Sequence, residues 1–421
     1  MALPVRIWHR GQVMEFDEEV RDASVSLREF REVLARRTAI APAEQLLLWI
    51  GGGGAVRLAE VRAEVQAVEA MVPVLDALEE QRRMVSGGML VLVERCGGRP
   101  LALMRRVLGE YAIALRATGA EAAARVRALG TVPVTRLVAE ADARLAHAAV
   151  SGGEGAFAVA DVCGTAARVA AALRWFKREH FRWVQRPPCR SCGGDTVGAG
   201  VDAPNAQEAQ ALAGTVELYR CAAGCPGQTR FARYNDAAHL LTASRCGRCG
   251  EWAQAFTLAL RVCGVERVRM VFDCEDHVWT EFWSDTLERW VHADACEEAL
   301  DQPLLYARGW GKRLSWVLGM SARDDENAVV LADRSRQYTP REQWPEMDRR
   351  RQQNSGHLHD VHTLLQLLAS LLGGDFDAGS SDPDPEEECT PNHADTAQLL
   401  RPRQSGAPEW ITQRGEGGCR K

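Results

Sequence analysis

The sequence predicts an α+β fold, and three observations carry that reading. An amphipathic stretch at helical spacing, Glu251 to Leu260, is followed by three short alternating apolar segments of strand character: Val265 to Cys274, His277 to Trp283 and Arg289 to Ala295. A strand, strand, helix, strand and later strand order is legible between Val5 and Glu94. Two close cysteine pairs, Cys189/Cys192 and Cys221/Cys225, lie on turn-rich sequence between these regions.

A chain of 421 residues with ordinary apolar content can bury a sizeable core divided into two or three units. The net charge of -6 gives no general drive toward nucleic acid or an anionic membrane. No apolar run approaches the roughly 20 residues that span a bilayer. The opening Met1-Ala2-Leu3-Pro4-Val5-Arg6 lacks the regions of a signal peptide, so a soluble protein of the cytoplasm or nucleus is the default expectation. Thirteen cysteines, an odd number, argue against a disulfide framework and for metal binding or catalysis. Cys163 and Cys263, within apolar helical segments, read as inert core thiols.

In chain order, Val5-Arg6-Ile7-Trp8 and Val13-Met14-Glu15-Phe16 flank a turn at Gly11. Ser26 can cap a helix carrying Leu27, Phe30, Val33 and Leu34 on one face. The run Leu46 to Ile50 follows a Pro-containing link, and Met89 to Val93 closes the unit. This order resembles ubiquitin-like domains, with an unusual Gly51-Gly54 insert, and places such a domain at residues 1–98. Residues 99–150 read as a helical linker, in which Leu101, Met104, Leu108, Tyr111 and Leu115 recur at helical spacing. A longer helix through Val162, Ala170, Leu173 and Phe176 ends before Pro187-Pro188.

Cys189, Cys192, Cys221 and Cys225 match the ligand spacing of a structural four-thiolate zinc site on a ribbon at about 187–232, inside a catalytic core at 151–345. The second pair has three intervening residues instead of two. Four thiolates leave no position for water, so such zinc is structural.

The nucleophile candidate is Cys249, at the start of the amphipathic helix. The helix dipole and the neighbouring Arg248 would both favour its thiolate. Alternation puts His277, Trp279 and Glu281 on one strand face, and Trp290, His292 and Asp294 on one face of the next. With a two-residue loop at Asp285-Thr286, Ser284 pairs with Leu287 and His277 lies opposite Asp294. A loop longer by one residue at each end shifts the pairing by two and keeps the faces. Thiol, imidazole and carboxylate, in that order, suit nucleophilic catalysis with an oriented general acid and base. His292 is the rival base, but it shares a strand with Asp294.

Gly247-Arg248-Cys249-Gly250-Glu251-Trp252-Ala253, Asp276-His277-Val278-Trp279-Thr280-Glu281 and His292-Ala293-Asp294-Ala295-Cys296-Glu297 closely resemble the cytoplasmic peptide:N-glycanases of the transglutaminase-like superfamily. Agreement extends to Trp175-Phe176-Lys177, Pro187-Pro188-Cys189, Arg230 to Asp236, Pro303 to Tyr306 and Gly309 to Lys312. The resemblance implies a transglutaminase-like, papain-like cysteine amidase core with a zinc ribbon insertion. It implies hydrolysis of the bond between Asn and the proximal N-acetylglucosamine of N-linked glycoproteins, converting Asn to Asp, on misfolded substrates of endoplasmic-reticulum-associated degradation. Cys249, His277 and Asp294 would then form the triad, while Trp279, Trp290 and Glu297 contact the chitobiose core. Misfolded glycoproteins and glycopeptides would be partners, and the N-terminal domain would meet proteasome or segregase machinery. The alternatives are another thiol acyl-transfer enzyme of this fold, a transglutaminase or protease, or a non-catalytic glycan-binding scaffold. Residues 346–421 read as a C-terminal helix, a disordered acidic insert at about 374–392, and a docking tail whose Arg403-Gln404-Ser405-Gly406 to Glu416 resembles the family's C-terminal motif.

Overall fold

The computed structural model describes residues 5–9, 12–16, 32, 35–37, 45–50, 89–94, 99–150, 159–322, 329–355, 358–371 and 374–379. The chain divides into two compact units, residues 1–109 with 348–372, and 110–347 with 373–421.

In the first unit, β1 (Val5–His9), β2 (Gln12–Phe16), β3 (Gln45–Ile50) and β4 (Met89–Glu94) form one sheet in the order β2-β1-β4-β3. β1 and β2 pair antiparallel, with His9 opposite Gln12. β4 runs parallel to β1, with Ile7 opposite Leu90, and antiparallel to β3. A parallel neighbour cannot be reached by a hairpin, so the chain crosses over before β4 enters the middle of the sheet. These four strands stand where alternation predicts them. The helix expected from Ser26 and the Gly51-Gly54 insert lie largely outside the described residues.

The division between the units falls within helix α1 (Arg99–Thr118). The second unit continues with α2 (Ala120–Ala128), α3 (Val134–Val150) and α4 (Gly164–Trp175). Cys163 caps α4 through its sulfur, which accepts from the Ala166 amide. The small residues along α4 let α3 approach it closely. Phe176–His180 adds a widened π turn.

Next come β5 (Arg182–Trp183), β6 (Thr196–Asp202), β7 (Ala213–Cys221), β8 (Gln228–Tyr234) and β9 (Cys246–Gly247). β6, β7 and β8 form a three-stranded antiparallel sheet, and β5 pairs in parallel with β9. Helix α5 (Cys249–Val262) follows directly. Arg127 of α2 donates to the Val262 and Arg261 carbonyls at its end, satisfying acceptors that a helix C-terminus leaves over. Part of the stretch expected to be a linker is therefore built into this unit.

The main sheet comprises β10 (Val268–Asp273), β11 (His277–Ser284), β12 (Arg289–Asp294), β13 (Ala299–Leu300), β14 (Val317–Met320), β15 (Val329–Asp333) and β16 (Asp375–Asp377). Its order is β13-β12-β11-β10-β14-β15-β16. α5 covers one face, where Thr257 and Thr280 hydroxyls meet at 2.7 Å. Trp279, Val271 and Val317 pack on the opposite face with Tyr306, Leu314 and Tyr338. Helices α6 (Trp344–Ser355) and α7 (Leu358–Leu371) follow in sequence, two where one was expected.

Two expectations are corrected. Ser284 lies opposite Arg289, and Thr280 opposite Ala293, so the β11–β12 loop has four residues. Glu288 takes a left-handed conformation, and the Leu287 amide turns in to the Ser284 hydroxyl, which closes the longer turn. The second correction is β16, at the head of the acidic segment expected to be disordered. Phe376 sits opposite Leu331, giving that segment an apolar anchor that its average composition conceals. The remainder of the insert and the C-terminal motif lie outside the described residues. Among the described residues no helix is long and apolar enough to cross a membrane.

Candidate active site

A two-position shift leaves every side chain on its original face, and His277 and Asp294 therefore still meet. His277 opens β11 after a turn in which Asp276 has φ 75°. Its backbone amide donates to Asp273 Oδ1 at 3.0 Å, and Asp273 Oδ2 receives the Lys312 ammonium at 2.7 Å. The ring is fully buried, with Trp310, Tyr306 and Trp279 centroids 4.9, 5.1 and 5.8 Å away. Its Nε2 lies 2.8 Å from Asp294 Oδ2.

Asp294 accepts three further hydrogen bonds, from Tyr306 Oη at 2.9 Å, the Cys296 amide at 2.8 Å and the Glu297 amide at 3.4 Å. Burial opposes ionisation of this carboxyl. The neighbouring His277 charge and the bonds it receives outweigh that cost and hold it below the usual carboxylate range. His292, the rival base, bonds Tyr306 Oη through Nε2 at 2.8 Å and accepts the Gln302 amide on Nδ1 at 3.3 Å. Burial lowers its pKa to about 4, so it is a neutral imidazole at physiological pH.

Cys249 is the first residue of α5 and half-buried. The Glu251 carboxylate accepts the Arg248 amide at 3.0 Å, as an acid in a helix's first turn can. Gly247 is required here, because a Cβ on it would lie 2.4 Å from the Glu251 Cβ. The Arg248 charge, expected to favour the thiolate, is countered by an acid. The guanidinium grips Glu217 at 2.8 and 2.7 Å and also reaches the Gln185 carbonyl and Tyr219 Oη. Arg233 bonds Glu251 at 2.6 and 2.9 Å and Glu217 at 3.0 Å. Glu251, Arg233, Glu217 and Arg248 thus alternate in charge and lace β7 and β8 to the start of α5. Burial opposes ionisation of Glu217, yet bonds from Arg248 and Tyr219 bring its pKa down to about 2.

β7 and β8 also belong to the cysteine module. The sulfurs of Cys189, Cys192, Cys221 and Cys225 all lie within 4.8 Å of one another, and Cys192 and Cys221 are 3.6 Å apart. Tetrahedral zinc with Zn–S bonds of about 2.3 Å places sulfurs about 3.8 Å apart, so the donors fit such an ion. Each pair sits on a tight turn with a positive-φ glycine, Gly193 (φ 71°) or Gly224 (φ 82°). Gly224 absorbs the extra residue of the second pair.

A profile of the transglutaminase-like superfamily matches residues 196–295. A peptide-N(4)-(N-acetyl-beta-glucosaminyl)asparagine amidase of Arabidopsis thaliana is 41% identical over 256 residues, 58% of this chain and 33% of that protein. The enzyme of the same name from Mus musculus is 49% identical over 150 residues, 35% of this chain and 23% of the relative. That from Saccharomyces cerevisiae is 36% identical over 267 residues, covering 58% of this chain and 69% of the relative. The chain belongs to the peptide-N4-(N-acetyl-beta-glucosaminyl)asparagine amidase family.

Within this amidase family chain the three residues expected to contact sugar are placed differently from one another. Trp279 is 1% exposed and packs in the core, the alternative role for such a ring, so its faces are taken by Tyr306 and Tyr338. Trp290 is half-buried, with the Arg269 guanidinium 3.9 Å from its centroid, about 13 Å along β12 from Asp294. Glu297 is buried in the turn that binds Asp294. Sequence reasoning assigned no role to Tyr306, Lys312, Asp273 or Glu217. Tyr306 and Lys312 lie in family-like stretches, which was the available signal. Their contacts come from a loop folded back over the sheet, which no spacing rule reports.

Proposed function

We propose that this chain is a thiol amidase that hydrolyses the bond between Asn and the proximal N-acetylglucosamine of N-linked glycoproteins and leaves Asp. The buried His277–Asp294 hydrogen bond of 2.8 Å carries the reading, and a half-buried cysteine opening helix α5 supplies the thiol it requires. Asp294 accepts the Nε2 proton and so fixes the tautomer in which Nδ1 exchanges protons with Cys249.

In this scheme the Cys249 thiolate adds to the carbonyl carbon of the glycosylated side-chain amide. Collapse of the tetrahedral intermediate breaks the C–N bond, and the His277 imidazolium gives its proton to the departing glycosylamine. The neutral imidazole then takes a proton from water, whose hydroxide attacks the thioester. The products are the Asp carboxylate and the regenerated thiol. Asp294 stays ionised throughout and holds the imidazolium.

Cys189, Cys192, Cys221 and Cys225 would hold structural zinc. Zinc bound there contributes folding energy, and the module it stabilises delivers Glu217 and Arg233 to the nucleophile's helix. Trp290 and Glu297 remain candidates for contact with the chitobiose core. The residue order and the β2-β1-β4-β3 sheet support a ubiquitin-like reading of residues 1–98 that meets proteasome or segregase machinery. The substrates are then misfolded glycoproteins of endoplasmic-reticulum-associated degradation, met in the cytoplasm.

Incubation with a denatured N-glycopeptide tests the activity. The expected product carries Asp at the former glycosylated position, and Cys249→Ala loses it. Transamidation or peptide cleavage in its place would point to the other acyl-transfer enzymes of this fold. A pull-down with the full chain that recovers neither proteasome nor segregase subunits would remove the partner assignment.

A further inference from the structure

Beyond the triad, a single line of hydrogen bonds runs through the core to Asp294, and every proton in it can be assigned. A carboxylate only accepts, so Tyr306 Oη donates to Asp294 Oδ2, at 2.9 Å. The phenol oxygen is then the acceptor for His292 Nε2–H, at 2.8 Å. That demands a proton on Nε2, and the Gln302 amide, donating to Nδ1 at 3.3 Å, sets this tautomer. His292, Tyr306 and Asp294 are 2, 0 and 0% exposed.

We infer that Tyr306, oriented by His292, is a positioning residue that locks the Asp294 carboxylate against the His277 ring. The inference rests on the thiol-amidase reading. Asp294 Oδ1 is held by two backbone amides of its own turn, which fix the carboxylate at one end. Oδ2 would otherwise be held only by His277, the ring it has to orient. Tyr306 supplies a second, independent donor to that oxygen. The ring therefore meets a fixed acceptor, and Nε2 keeps its proton through each change of charge on the imidazole. A phenylalanine would fill the same volume among Trp279, Leu314, Val317 and Tyr338. Packing alone thus does not account for a hydroxyl at this depth, where an unsatisfied one is costly.

Tyr306→Phe in the full chain is the test, since it removes one oxygen and keeps the ring. On a denatured glycopeptide, kcat should fall about tenfold, the scale of one hydrogen bond to a charged group, with KM within about twofold of the parent. The donated bond helps keep Asp294 ionised, so its loss should move the acid limb of the kcat–pH profile to higher pH. The low-field NMR resonance of the His277 Nε2 proton should shift as well. If Tyr306→Phe fails to fold, His292→Gln gives the same three readouts one bond further away. Unchanged kcat, pH profile and proton resonance in a folded variant would reduce Tyr306 to packing. Should the parent not turn over glycopeptide at all, the amidase reading falls. The Nε2 resonance and the pH dependence of Cys249 alkylation by iodoacetamide would still decide the role of Tyr306.

Discussion

Asp294, the carboxylate of the proposed triad, has no exposure, four donors and a negative charge that the surrounding bonds stabilise. Asp294→Asn keeps the shape but presents an amide that can donate, favouring the wrong His277 tautomer. Turnover should fall on the order of 10^3- to 10^4-fold with the fold retained, as steady-state kinetics beside circular dichroism would show. Two other groups, the buried His292 and the half-buried Glu275, set an opposed pH dependence. His292 falls from 6.5 to about 4 on folding, so the unfolded chain binds the extra proton between those values and acid destabilises. Glu275 rises from 4.5 to about 7 through burial and the charge of Asp273, so the folded chain holds the extra proton and acid stabilises. Over pH 4.5 to 6.5 the two slopes oppose. Relative to the parent, Glu275→Gln should lose more thermal stability on going from pH 6.5 to 4.5, and His292→Gln less.

At the scale of elements, the start of α5 is the point where sequence motif and packing coincide. A Cβ at Gly247 would collide with Glu251, whereas one at Gly250 meets nothing within 4 Å. Gly247→Ala should therefore destabilise by about 2 kcal/mol or more, as overpacking does, while Gly250→Ala should leave the denaturation midpoint equal or higher. Glu251→Ala would strip Arg233 of its bidentate partner and α5 of its first-turn acceptor, costing about 2–3 kcal/mol by denaturant titration. The strand faces were legible because β11 and β12 alternate. Their register was not, since it turns on the left-handed backbone of Glu288, and any residue there hides that choice. The charge of Arg248 was legible too, but not its direction. Glu217, 31 positions earlier in the chain, takes both arms of the guanidinium.

For the whole molecule, the consequence is a route from the cysteine module to the helix that opens with the proposed nucleophile. β7 carries both Cys221 and Glu217, and β8 carries Arg233, so loosening the four-cysteine turns loosens the charged lacing on α5. With zinc as proposed at the four cysteines, a strong chelator should lower both the thermal midpoint and glycopeptide turnover, and added zinc should restore both. Cys189→Ser or Cys225→Ser should reproduce the loss. Unchanged melting and turnover in metal-free protein would remove zinc from the account.

The sequence alone determined the α+β class and the four cysteines that converge, and it supplied the thiol, imidazole and carboxylate of the proposed triad. Such features are set locally, by side-chain period, turn chemistry and the spacing of ligand pairs. The tertiary structure decided what neighbours do: that Trp279 is core, that Arg248 faces Glu217, and that Tyr306 binds Asp294. Those outcomes depend on chain segments far apart in sequence competing for the same buried space and the same hydrogen-bond acceptors, and only the folded arrangement resolves that competition.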